Sequence, residues 1–237
     1  DDWDSLPALG GEAVHPLLWA ARDADPAIRA RAVDTLGDLG DAEEAVNSFD
    51  RALAIDPDNP RAWNNRGAIL FQLERNADAV DSFEHSLGID PKNAGTWFNR
   101  GLALMELGQD EAATGSFART LDLDPGNAEA WFQRGKALER SGRPAEAVEV
   151  LDEAIRRLPD HGPSWFVRGV ALERLQRFDE AVNAFDRSLV ADPDNPEALH
   201  HQGLALHALG MHHEAVEVFA RAAELDPGSA ATWYHEG

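Results

Sequence analysis

Five histidines, His200, His201, His207, His212 and His213, fall within fourteen residues late in the sequence. Imidazole binds transition metals and exchanges protons near neutral pH, so the cluster raises both chemistries. A helix brings two metal ligands together when they stand four residues apart, and no two of these histidines have that spacing. His200 and His207 share a helix face two turns apart, too far to chelate one ion, so no metal site is expected. The acidic quartets DPDN at 56–59 and 192–195 raise calcium instead. Proline in second place and the missing glycine in sixth break the EF-hand pattern, and turn and cap duty is the expectation. There is no cysteine, phosphate loop, nucleophile elbow or metalloprotease motif, and the carboxylates are scattered along the chain. We therefore expect neither an enzyme nor a cofactor.

Charge narrows the partners. The 237 residues carry 21 basic and 43 acidic side chains, a formal net charge of -22. Such a surface repels phosphate backbones and anionic headgroups, so neither nucleic acid nor membrane is an expected partner. No apolar run approaches the roughly 18 residues of a membrane span, and the opening DDWDSL lacks the pattern of a secretory signal. The expected localisation is cytoplasmic.

The elements that position these side chains are announced by repetition. TWFNRG at 96–101 returns as AWFQRG at 130–135 and SWFVRG at 164–169, an interval of 34 residues. With Pro60 as position 1 of a 34-residue frame, position 4 holds Trp63, Trp97, Trp131, Trp165, Leu199 and Trp233, and position 8 is glycine from Gly67 to Gly237. Position 20 is alanine, position 24 is Phe83, Phe117, Leu151, Phe185 and Phe219, and position 32 is proline. Apolar positions 4, 11 and 14, then 20, 21, 24 and 28, recur at helical spacing and describe two amphipathic helices per unit. Gly108, Gly142 and Gly210 are expected at the tight turn between them, and Asn59 and Asn195 as caps ahead of Pro60 and Pro196. Glycine at 8 and alanine at 20 should allow close helix approach, with the tryptophan filling space between helices.

The pattern W-x-x-R/Q-G-x-x-L, A-x-x-x-F and P at a 34-residue period resembles the tetratricopeptide repeat family. That resemblance implies an all-α fold, a right-handed α-α superhelix of helix hairpins. The expected organisation is a tetratricopeptide array over residues 41–237. It comprises a hybrid unit 26–59, full units 60–93, 94–127, 128–161, 162–195 and 196–229, and a partial unit 230–237. The stretch EAVHPLLWAARDADPAIRARAVDTLGDLGD at 12–41 resembles a HEAT-like repeat, so residues 1–40 are read as HEAT-like helices continuous with the array, the helix ending near Gly40 belonging to both. The family usually has leucine at position 7, where this chain has Arg66, Arg100, Arg134 and Arg168. Either their stems pack while their guanidinium groups reach acidic neighbours, or they form a ladder facing a ligand.

The resemblance also implies a function: a non-catalytic protein-interaction scaffold whose first helices line a concave groove for a peptide or partner segment. Positions 5 and 6 then supply Asn64, Asn65, Phe98, Asn99, Phe132, Gln133, Phe166, His200 and His201, joined by Lys136, Arg140, Arg174 and His207 further along the first helices. The carboxylate clamp of the family's chaperone-binding members is absent, since Asn64, Ala68, Asn99, Glu129 and Gln133 stand at its places. Two other readings stay open: a structural array that forms homo-oligomers by end-to-end stacking of uncapped repeats, and a regulatory or targeting module of a larger protein.

Overall fold

A computed structural model of the chain describes residues 42–228. The HEAT-like segment and the partial last unit lie outside the described residues. Eleven helices and no strand are found among the described residues, and two compact units divide the chain, Asp1–Pro125 and Gly126–Gly237.

In the first unit, α1 (Ala42–Ile55) precedes the hairpins α2–α3 (Pro60–Gln72, Asn76–Ile89) and α4–α5 (Ala94–Glu106, Asp110–Leu123). In the second, the hairpins are α6–α7 (Ala128–Arg140, Pro144–Arg157), α8–α9 (Gly162–Arg174, Phe178–Ala191) and α10–α11 (Pro196–Ala208, His212–Leu225). Within each unit every helix packs on the next, and first helices also touch the first helix of the neighbouring hairpin. This is the all-α helix-hairpin architecture that the 34-residue period predicts.

Local chemistry sets the helix ends. The side-chain oxygens of Asn59, Asn93, Asn127 and Asn195 accept hydrogen bonds from the amides of Ala62, Thr96, Ala130 and Ala198 at 2.9–3.1 Å, satisfying donors that the first turn leaves unpaired. Among the first helices only α8 departs, because His161 stands at its cap and directs Nδ1 to Ser164 Oγ at 2.7 Å, leaving the backbone without a side-chain cap. At the turn inside each hairpin, Gly108, Gly142 and Gly210 have φ of 70°, 77° and 77°, as expected. Two turns adopt the same left-handed conformation without glycine, at Glu74 and Gln176.

Packing within a hairpin depends on position 8 meeting position 24. A Cβ built on Gly67, Gly101, Gly169 or Gly203 would lie 2.5–2.7 Å from a ring carbon of Phe83, Phe117, Phe185 or Phe219, and one on Gly135 would lie 2.5 Å from Leu151 Cγ. Phe83, Phe117, Leu151 and Phe185 are fully buried, as are Ala79, Ala113, Ala147 and Ala181 at position 20. Each buried large side chain contributes about 2–3 kcal/mol from area removed from water. The tryptophans do a different job from pure space-filling. Trp63, Trp97 and Trp165 are half-buried, and their indole N–H groups donate to the carbonyls of Pro57, Pro91 and Pro159 at 2.7–3.0 Å. Position 4 lies at the start of the first helix, so its indole ties that helix to the turn entering it.

The glycines separate two effects. Gly169→Ala should destabilise the fold by about 1–3 kcal/mol through overpacking against Phe185. Gly115→Ala, in α5, meets nothing within 4 Å and should stabilise by about 0.5–1 kcal/mol. Urea denaturation followed by circular dichroism checks both signs.

Candidate functional site

The first helices present the residues singled out from the sequence, and the structure divides them by what they already hold. In the first unit, Asn64 Oδ1 accepts from Thr96 Oγ1 at 3.0 Å while its Nδ2 donates to Asn65 Oδ1 at 3.2 Å. Asn64 thereby braces α2 against α4, and Asn65 holds the Asn64 amide in place. Phe98 packs on Phe117 with ring centroids 5.7 Å apart, and Phe98 and Asn99 are both half-buried.

In the second unit, Phe132 and Phe166 are half-buried against the core formed by Leu138, Leu151, Leu172 and Phe185. Phe132 meets His161 edge-on at 4.9 Å, and Phe166 meets Phe185 at 6.0 Å and His201 at 5.7 Å. Each ring is thus partly covered by a neighbouring ring and partly left to solvent. His200 is 7% exposed and packs on Phe219 at 5.6 Å, so it leaves little surface for a ligand.

Charged pairs stitch the first helices of this unit together. Arg174 of α8 reaches α6, with Nη2 2.9 Å from Glu139 Oε1 and Nη1 donating to the Glu139 carbonyl at 2.9 Å. The Glu139 side chain is only 10% exposed and its Oε1 accepts no hydrogen bond, so the nearby guanidinium offsets by charge part of the desolvation of a carboxylate. His201 of α10 reaches back to α8, its Nδ1 2.8 Å from Glu173 Oε2. Gln133 donates to Glu129 at 2.7 Å. Lys136 is half-buried on α6, and Arg140 is exposed at its end. His207 lies across the turn from His212, their Nδ1 atoms 3.3 Å apart. That contact escapes a search for ligand pairs four residues apart, because the two imidazoles sit on different helices. Among the described residues no group of three or more metal-ligating side chains occurs.

The arginines at position 7 are explained by charge rather than by ligand. Arg66 donates to Asp50 at 2.7 Å and Ser82 at 2.6 Å, Arg100 to Glu84 at 2.6 Å and Ser116 at 2.7 Å, and Arg168 to Asp152 at 2.7 Å. Gln202 takes the same role toward Asp186. Each acid lies sixteen residues earlier, on the second helix of the preceding repeat, whereas Ser82 and Ser116 lie sixteen residues later, on the second helix of the arginine's own hairpin. Arg134 breaks the series: its Nε is buried without a hydrogen-bond partner, Ala118 standing in the sequence where Asp50, Glu84 and Asp152 accept from that nitrogen in the others, and Val150 replaces the hydroxyl of Ser82 and Ser116.

Hairpins of this geometry at this period have an established family. The tetratricopeptide repeat model matches residues 31–94, 97–162 and 166–230. The chain is a tetratricopeptide repeat protein. As such it is a scaffold of the protein-interaction class, and the arginine rungs and glycine–ring contacts are this chain's way of building the family's hairpins. No curated protein sequence matches it. Solved structures do. A MamA protein superposes with a TM-score of 0.67 at 23% identity, covering 73% of this chain and 94% of that one. MamA of Desulfovibrio magneticus RS-1 gives 0.68 at 19% identity, covering 71% and 95%. YrrB, described as a TPR protein with an unusual peptide-binding site, gives 0.70 at 18% identity, covering 81% and 98%. These likenesses establish the fold. No helix among the described residues is long and apolar enough to cross a membrane.

The Arg174–Glu139 contact is open to direct test. Arg174→Ala should destabilise the protein by about 2 kcal/mol, because a buried carboxylate loses its charged partner. Adding Glu139→Gln should recover part of the loss, as urea midpoints for the single and double variants will show.

Proposed function

We propose that this tetratricopeptide array binds a peptide segment of a partner protein on the face made by its first helices, without catalysis. The observation that carries the reading is the half-exposed pair Phe132 and Phe166, held at a 34-residue interval on adjacent first helices by the core and rings packed against them. Such rings give apolar anchors whose rotamers are already fixed, which lowers the entropic cost of binding. Gln133, Lys136, Arg140, Arg174, His201 and His207 supply polar contacts around them in the second unit, with Phe98 and Asn99 offering the same pairing of ring and amide in the first. The acids on this face are partly committed: Glu139 to Arg174, Glu173 to His201 and Glu129 to Gln133. Lys136 beside Phe132 is then suited to an acidic or carbonyl-rich stretch of the segment. The net charge of -22 argues for a protein partner over a nucleic acid, whose phosphates it repels. That YrrB has a peptide-binding site on the same fold supports the reading by analogy.

Peptides selected from a displayed random library on the full chain test it. Selected peptides should lose about tenfold or more in affinity on Phe132→Ala/Phe166→Ala, as expected when two anchors are truncated. They should also weaken on Lys136→Glu, which reverses the charge one turn from Phe132, while helical circular dichroism persists in both variants. Undiminished binding to both variants would place the peptide site elsewhere.

A further inference from the structure

The surroundings of the position-4 tryptophans vary between repeats in one informative respect. In the unit 94–127, Arg119 at position 26 lies over Trp97, its guanidinium carbon 6.0 Å from the ring centroid. In the unit 128–161, Arg157 lies over Trp131 at 5.0 Å. In the unit 196–229, Arg221 at position 26 donates to the Pro193 carbonyl at 2.6 Å and lies 3.3 Å from the Asp194 carboxylate, both in the turn before α10. These three repeats therefore place a guanidinium of their own beside the position-4 side chain or the turn that precedes it.

The unit 60–93 keeps the receiving groups, although the Pro57 carbonyl already accepts from the Trp63 indole N–H at 2.8 Å, and lacks that arginine. Pro57 and Asp58 stand where Pro193 and Asp194 meet Arg221, and Trp63 where Trp97 meets Arg119, but position 26 is His85. His85 is shorter and stacks on Trp63 with centroids 4.5 Å apart and planes at 22°. Position 29 is Gly88, and a Cβ there would meet nothing within 4 Å. What remains is a trough of about 580 Å³ lined by Pro57, Asp58, Trp63, Asp81, Glu84 and His85, together with Gly88 and Ile89. Glu84 is paired with Arg100 at 2.6 Å, and Arg66, near the Trp63 ring, is held by Asp50. Asp58 and Asp81 have no ion-pair partner among the described residues.

We propose that this trough receives an arginine side chain from a partner protein, in the place that Arg119, Arg157 and Arg221 fill internally in their own repeats. A guanidinium fits on three counts. It is planar and lies against an aromatic stack such as Trp63–His85, it presents several donors to carboxylates such as Asp58 and Asp81, and it is weakly hydrated compared with an ammonium. Every lining residue belongs to the first unit. The site is distinct from the Phe132–Phe166 face, so either proposal can fail without the other.

The test follows the indole N–H resonances of the 15N-labelled full chain, assigned with Trp63→Phe, during titration with the capped tripeptide Gly-Arg-Gly and its lysine and citrulline counterparts. The arginine peptide should shift the Trp63 resonance saturably and leave Trp97, already covered by Arg119, in place. The citrulline peptide, neutral and nearly isosteric, should have no effect, and lysine should bind about threefold or more weakly. Asp58→Asn/Asp81→Asn should weaken binding about tenfold, and His85→Arg, which supplies the guanidinium internally, should abolish the response while circular dichroism stays unchanged. The proposal is overturned if Trp63 does not respond, if citrulline acts like arginine, if Trp97 shifts equally, or if folded His85→Arg binds like the parent chain.

Discussion

Each hairpin of this protein depends on a hydrogen atom standing where any other residue would place a carbon. Gly67, Gly101, Gly135, Gly169 and Gly203 lie against Phe83, Phe117, Leu151, Phe185 and Phe219, so closely that an added Cβ would overlap the opposing side chain by most of an ångström. The contact fixes the separation of the two helices, and interiors at crystal-like packing density do not yield to such an overlap cheaply. Helix propensity works against glycine at these places by about 1 kcal/mol each. Its presence at five successive positions shows that close approach outweighs propensity here.

Other interactions build outward from that contact. Alanines at position 20 keep the second helix near the first, indole N–H groups tie first helices to the turns entering them, and Arg66, Arg100 and Arg168 at position 7 each join a first helix to the second helix before it. Where that rung lacks its carboxylate, at Arg134 with Ala118 sixteen residues before it, a buried Nε is left without a hydrogen bond. The candidate binding face is a consequence of this order. Phe132 and Phe166 are oriented because Phe185, His161 and His201 fill the space behind them.

Much of the architecture is legible in the sequence because it repeats: helix pairs, glycine turns, asparagine caps and the close contact at position 8 all follow from local pattern at a 34-residue period. The site is less legible. Arg174 finds Glu139 at a separation of 35 residues, and His201 finds Glu173 at 28. Neither pair carries a local signature, so the sequence alone presents Arg174 and His201 as open ligand contacts. His207 and His212 meet because the chain reverses between them, which helical spacing cannot express. The left-handed turns at Glu74 and Gln176 were hidden for the opposite reason: the residue that usually announces that conformation is missing. The face of the first helices is thus partly self-satisfied, and its remaining valence is apolar rings with a few polar groups.

Native-state hydrogen exchange on Gly101→Ala measures the central contact most directly. If the glycine–ring contact holds the hairpin together, amides of α4 and α5 should lose protection by about tenfold or more, the equivalent of about 1.4 kcal/mol, with smaller losses elsewhere in the first unit. Protection equal to or greater than that of the parent chain in α4 and α5 would contradict the account, because it would mean that the ring of Phe117 moves aside at no cost and that something else sets the spacing of the helices.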